Sequence, residues 1–174
     1  MAPDSRRMEI LKKAMEIEAN EKVFYERAAA AAETPMARQL FERLAFEEDA
    51  HTKKFQNIER QLGSSDDWPA VEAPSWEGEE LKQVFAGMKD PSADDVTPAK
   101  TELEAMKQAM GKELEAYDMY RNRGDEATSP AEKKFYTVLA GEERMHHLAL
   151  LDAFEFLTDP AGWYTVKEKW TLEG

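Results

Sequence analysis

Six polar residues stand where a helical bundle would bury them, and that placement constrains the chain more than any other feature. Between Pro35 and Leu62 the apolar residues recur at 3–4 spacing as Phe41, Leu44, Phe55, Ile58 and Leu62, with Glu48 and His51 in the same line. Between Pro130 and Leu157 the line reads Tyr136, Leu139, Glu143, His146, Leu150, Ala153, Leu157. A third line, Leu103, Met106, Met110, Glu113, Tyr117, Tyr120, holds one carboxylate. The first, Met8, Leu11, Met15, Glu18, Lys22, Tyr25, is less regular, and Lys22 fits no site. Residues three apart share a helix face, so each Glu-x-x-His pair, Glu48/His51 and Glu143/His146, aims two donors the same way.

The two motifs belong to an internal repeat. Slid by 95 positions, the separation of His51 from His146, the halves align without a gap. Ala14-Met15 falls on Ala109-Met110, Glu18 on Glu113, Tyr25 on Tyr120 and Pro35 on Pro130. Leu44-Ala45 falls on Leu139-Ala140, and Glu47-Glu48 on Glu142-Glu143. A duplicated helix pair implies a pseudo-twofold axis, and a site on that axis receives every group twice.

Four bare carboxylates cannot share a core, because each loses several kcal/mol of hydration and repels the others. Charge arithmetic favours cations among them: two divalent ions balance four carboxylates, and two neutral imidazoles add nothing. One Glu from each of two helices, plus Glu-x-x-His from each of the other two, is the donor set of a dinuclear carboxylate bundle. Oxygen and imidazole donors suit iron or manganese, with zinc possible. Two of only three histidines occupy these positions.

Caps and prolines set the expected boundaries. Helix one runs from about Asp4 to Ala32, helix two from Thr34-Pro35 to Leu62-Gly63, helix three from Thr97-Pro98 to about Gly124, and helix four from Ser129-Pro130 to Thr158-Asp159-Pro160. One domain over 1–174 is expected, with helix pairs at about 4–63 and 97–158. The connector 64–96 is rich in Ser, Asp, Pro and Trp. A short helix over about 76–88, capped by Ser75, is expected inside it. So long a link suits a crossover running the length of the bundle. The tail 159–174, with Trp163, Tyr164 and Trp170, is expected to pack on the bundle end or on a second subunit.

Composition narrows the function. With no cysteine, thiolate metal sites, iron–sulfur centres and cysteine nucleophiles are excluded. A net charge of −13 repels a phosphate backbone, so nucleic-acid binding is not expected, while cations are drawn in. No apolar run approaches the ~18 residues of a membrane span, and no signal-peptide core follows Arg6-Arg7, so the expected location is the cytoplasm.

Several further residues bear on the site. Glu21, three residues after Glu18, lies on the adjoining line Ile10, Ala14, Ile17, Phe24, Ala28 and is a candidate seventh ligand; its repeat mate is Ala116. A fifth carboxylate would offset one of the two positive charges that oxidation of two metals adds. Tyr25 and Tyr120 stand two turns beyond Glu18 and Glu113, and a ligand carboxylate on a neighbouring helix is the expected acceptor for each hydroxyl. Glu47, Glu142 and His147 are one residue off the motifs, about 100° round the helix, and read as surface residues or as supports behind the ligands.

The stretches Leu44-Ala-Phe-Glu-Glu-Asp-Ala-His51 and Leu139-Ala-Gly-Glu-Glu-Arg-Met-His146, with Glu18/Tyr25 and Glu113/Tyr120, resemble the rubrerythrin branch of the ferritin-like superfamily across all four helices. The resemblance implies a ferritin-like bundle holding two iron ions that reduce hydrogen peroxide, in a homodimer or larger oligomer. The sequence departs from the family twice. It lacks the four-cysteine rubredoxin domain, so electrons must come from a separate protein or a small reductant. The family's additional Glu on the third helix corresponds to Ala116, and a Glu appears at the pseudo-symmetric Glu21 instead. The expectation is therefore a di-iron peroxidase. A ferroxidase using oxygen and a metal-stabilised module without turnover are the alternatives.

Overall fold

The computed structural model describes residues 5–63, 67–70, 98–163 and 165. Four long helices make up most of them: α1 (Ser5–Ala31), α2 (Pro35–Leu62), α3 (Lys100–Glu126) and α4 (Pro130–Thr158). There is no strand among the described residues. Three-residue links join α1 to α2 and α3 to α4, making two antiparallel hairpins that pack face to face as the duplicated sequence requires. Asp4, Ser75 and the helix expected at 76–88 lie outside the described residues, as do Tyr164 and Trp170.

Local chemistry explains the ends. Thr34 caps α2, its hydroxyl accepting from the Ala37 amide at 3.2 Å, with Pro35 in the first turn. Helix α3 starts later than expected. Ala99 is the cap residue, with extended backbone at φ −64° and ψ 143° and no side-chain cap. A tertiary contact holds its first turn instead: Glu102 accepts from the Thr34 amide at 3.0 Å and the Thr34 hydroxyl at 2.7 Å. The same helix also runs past Gly124. That glycine is buried inside the helix, where an added Cβ would lie 3.4 Å from the Thr137 hydroxyl of α4. It admits close packing of α3 on α4 rather than ending the helix.

The buried lines of α1 and α3 correct the sequence reading. In α1 the buried residues are Leu11, Ala14, Glu18, Glu21, Tyr25 and Ala29, with Ala32 buried just beyond its end. In α3 they are Glu102, Met106, Ala109, Glu113, Ala116, Tyr120 and Gly124. Six of the α1 positions, Leu11 to Ala29, map onto Met106 to Gly124 under the repeat. The two lines inferred for α1 are thus one. Lys22 falls beside it, half-buried, with its ammonium 2.7 Å from Asp49.

The core is layered along the bundle axis. One apolar cluster gathers Tyr25, Leu40, Phe41, Leu44, Met106, Ala109 and Leu150; the other gathers Leu11, Phe55, Ile58, Trp68, Tyr120, Phe135, Tyr136 and Leu139. The mid-helix carboxylates and histidines lie between them in sequence position on every helix. The repeat exchanges the two clusters, so the pseudo-axis crosses the bundle through the polar layer. Leu62 belongs to one cluster and Met106 to the other, so the α2–α3 connection spans opposite ends of helices about 40 Å long. Leu44 is fully buried. Leu44→Ala is expected to cost about 2–5 kcal/mol in a urea titration, through lost burial and the cavity left behind.

At the far end Trp163 returns to the bundle. Its indole N–H donates to Asp152 at 2.8 Å and its ring meets Phe156 edge-on at 5.3 Å.

Candidate metal centre

The four helices converge their polar residues on one buried layer. Glu18, Glu48, His51 and Glu143 offer donor atoms that all lie within 4.8 Å of one another, and so do Glu48, Glu113, Glu143 and His146. Glu48 and Glu143 belong to both groups. Glu18 with His51, and Glu113 with His146, complete one group each. Five of the eight residues that carry these and the supporting contacts, Glu18, Glu48, Glu113, Glu143 and His146, are wholly shut off from solvent.

Each imidazole presents Nδ1 to the carboxylates. His51 Nδ1 is 3.0 Å from Glu18, 3.1 Å from Glu48 and 3.2 Å from Glu143. His146 Nδ1 is 3.1 Å from Glu48 and 3.4 Å from both Glu113 and Glu143. Several of these close approaches are not directed hydrogen bonds. Glu48 Oε1, Glu113 Oε2, both Glu143 oxygens and His146 Nδ1 are buried with no hydrogen-bond partner among the described residues. Donor atoms aimed at a common point rather than at each other fit a pair of cations lodged among them.

The tyrosines complete a cross-braced arrangement. Tyr25 of α1 donates its hydroxyl to Glu113 of α3, and Tyr120 of α3 donates to Glu18 of α1. Each phenol thus fixes the carboxylate of the opposite repeat. Burial, followed by the neighbouring glutamates, pushes both phenols well above their ordinary range, so they remain donors.

Two residues that the sequence left behind the ligands or at the surface are central to the geometry. Glu47 and Glu142 are buried, at 6% and 7% exposure. His146 Nε2–H donates to Glu47 at 2.7 Å, and His51 Nε2 lies 3.2 Å from Glu142. A carboxylate only accepts, so it holds the imidazole proton on Nε2 and leaves the Nδ1 lone pair to face the centre. Each support crosses between α2 and α4. Each also has its own cation: Arg43 at 2.5 Å from Glu47, and Lys54 at 3.0 Å from Glu142. Burial opposes ionisation of both, but His146 and Arg43 bring Glu47 down to about 2, and His51 and Lys54 lower Glu142. The doubled Glu-Glu, repeated at 47–48 and 142–143, was the signal in the sequence. Glu47→Ala or Glu142→Ala is expected to weaken metal affinity about 10–100-fold in competition with a chelator. The corresponding Gln variants keep an acceptor and are expected to lose less.

Glu21 stands apart from both donor groups. It is buried, and its Oε2 has no hydrogen-bond partner among the described residues. Burial, then the charges of Glu48 and Glu143, push it up to about 8. His147 faces elsewhere, its Nδ1–H donating to the Met110 carbonyl at 3.1 Å.

A four-helix bundle with this buried Glu/His layer belongs to the ferritin-like carboxylate class. The family model for rubrerythrin matches residues 9–154, and the chain is a member of the rubrerythrin family. The match shows no rubredoxin domain. No curated protein and no solved structure matches the chain. None of the described helices is long and apolar enough to cross a membrane.

Proposed function

We propose that this protein holds two iron ions and reduces hydrogen peroxide with electrons from an external donor. The observation that carries the reading is the pair of donor groups overlapping in Glu48 and Glu143. On this reading Glu48 and Glu143 would serve both ions, Glu18 with His51 would hold one, and Glu113 with His146 would hold the other. Manganese or zinc fits the same donors. When bound, two irons passing from +2 to +3 would supply the two electrons that convert peroxide to water.

The chain's own residues set the conditions for that chemistry. Glu47 and Glu142 keep both imidazoles in the ligating tautomer. Tyr25 and Tyr120 orient Glu113 and Glu18 and hold protons beside them. The apolar clusters above and below exclude water. Glu21 is the residue that can answer a rise in charge: by giving up its proton it adds a fifth carboxylate beside the centre. Family membership supports peroxide as the oxidant, and the lack of cysteine in these 174 residues supports a donor that is a separate protein or small reductant.

Anaerobic loading with two Fe²⁺ per chain, followed by peroxide or oxygen in separate rapid-mixing runs, tests this. Oxidation is expected to be much faster with peroxide. Faster oxidation with oxygen would make the protein a ferroxidase. Failure to bind two ions would remove both readings and leave a helical module without turnover.

A further inference from the structure

The outward side of α4 differs from that of its repeat mate, α2. Met145 and Leu148, each 40% exposed, stand on it. Residues three apart share a helix face, so the two lie together, turned away from the inward Glu143 and His146. On the same side is Gly141, exposed in mid-helix, where an added Cβ would meet nothing within 4 Å. Glycine weakens a helix relative to alanine, and no contact among the described residues requires this one. The equivalent positions of α2 are Phe46, Ala50 and Lys53.

The line through these residues is self-complementary. Lys134, Gly141, Leu148 and Glu155 follow at seven-residue intervals, two helical turns apart, and all four are exposed. Turned end for end, the line reads Glu, Leu, Gly, Lys. A second copy laid antiparallel on the first therefore sets Lys134 against Glu155 at both ends. Between them each Leu148 faces the notch at the other copy's Gly141, and Met145 lies near the axis. A two-fold interface demands this property, since whatever one copy presents the other must accept. Neither Lys134 nor Glu155 has an ion-pair partner among the described residues. Their charges cancel along the line, although the chain carries −13, so two acidic copies can meet here. The corresponding line of α2, Gln39, Phe46, Lys53 and Arg60, would set Arg60 against a neutral Gln39 and Lys53 against Phe46.

We propose that this face of α4 is the seam of a homodimer in which two copies pack α4 antiparallel, Leu148 into the Gly141 notch and Lys134 onto Glu155. The helix that supplies Glu142, Glu143 and His146 on its inner side is then clamped from outside by a second chain. The seam goes beyond the proposed chemistry and does not depend on it.

Sedimentation equilibrium of the full chain tests the seam. At about 100 μM chain the mass is expected to be twice the 19.9 kDa of one chain. Leu148→Glu and Gly141→Phe are each expected to weaken association about 30-fold or more, as loss of a central contact does. Gly141→Phe introduces the side chain that the equivalent Phe46 already carries on the surface, so the fold tolerates it, and circular dichroism checks both variants. The register is read by charge reversal. Lys134→Glu and Glu155→Lys should each weaken the dimer about threefold to tenfold, because every pair occurs twice. The two reversals together should restore it. Both also suit the helix dipole, so neither endangers α4. Within one chain the two residues are about 32 Å apart along the helix, far beyond the screening length of about 10 Å at 0.1 M salt, so rescue can arise only between chains. A monomer at that concentration would give the face to another occupant and overturn the proposal. So would a dimer indifferent to these changes, which would pair through another face, or a double reversal no tighter than the single ones. Neither metal nor peroxide enters the measurement, so its failure leaves the peroxide chemistry standing, and failure of that chemistry leaves the seam standing.

Discussion

Glu143→Ala is expected to destabilise the metal-free protein by about 3–5 kcal/mol, the cost of breaking a buried ion pair from one side. It is also expected to end the binding of two metals. Glu143 is wholly buried, and its two oxygens lie 3.2 Å from His51 Nδ1 and 3.4 Å from His146 Nδ1. Burial opposes its ionisation, but the two imidazoles outweigh burial and hold the carboxyl well below its ordinary range. Removing it leaves two buried imidazoliums sharing one carboxylate fewer, and takes away a donor common to both metal groups. Burial works against the charge on each histidine, yet the surrounding carboxylates raise both well above the usual imidazole value. A histidine raised in the folded state adds stability below its unfolded value, and that stability fades as pH climbs through the folded one. The variant's penalty should therefore be largest at slightly acidic pH and shrink in alkali. Urea titrations in chelator across that range measure it. An unchanged midpoint, with two ions still bound per chain, would remove Glu143 from the centre.

The same residue shows how far the sequence could be read. Glu143 and His146 interrupt an apolar line at i and i+3, and only a helix period makes that line continuous. The helix count, the hairpin pairing and the convergence of six polar residues follow from period and repeat alone. Glu47 and Glu142 were harder. Their position on α2 or α4 is one step round from the ligands, and a helix seen alone puts that step at the edge of the buried face. Only when α2 is set against α4 does Glu47 meet His146, and Glu142 meet His51. Interhelical pairing of this kind depends on relative rotation, which no single-helix pattern contains. The α1 line was misdrawn for a related reason. Lys22 sits at core spacing after Glu18, yet its ammonium reaches outward to Asp49, while Glu21, equally polar, turns inward. Two adjacent polar residues at plausible core positions look alike until the neighbouring helices decide which is buried.

Loading the metal-free chain with two divalent ions near pH 7 is expected to release about four protons. In the absence of metal, protons take the place of the cations. Burial, reinforced by Glu143, keeps Glu18 protonated. Burial likewise keeps Glu113 protonated against the pull of His146, with Glu48 and Glu143 adding to it. His51 and His146 carry a second proton each, while Glu48 and Glu143 stay ionised because the imidazoles outweigh burial. Two imidazoliums against two carboxylates leave the layer neutral. Two divalent ions need all four carboxylates ionised and both Nδ1 atoms free, so the four bound protons must leave, and the layer is again neutral. Because protons compete with metal, apparent affinity should rise with pH, by about one decade per pH unit for each proton displaced. Calorimetry with Zn²⁺ in two buffers of different ionisation enthalpy counts the protons directly. Release near zero would mean that the carboxylates were already bare and the imidazoles neutral in the metal-free protein, and would overturn this account of the layer. Glu21, pushed up to about 8, holds a further proton at this pH. If it joins the centre the count rises toward five, and Glu21→Gln should return it to four. The proton count therefore reads out the one residue that breaks the symmetry of the site.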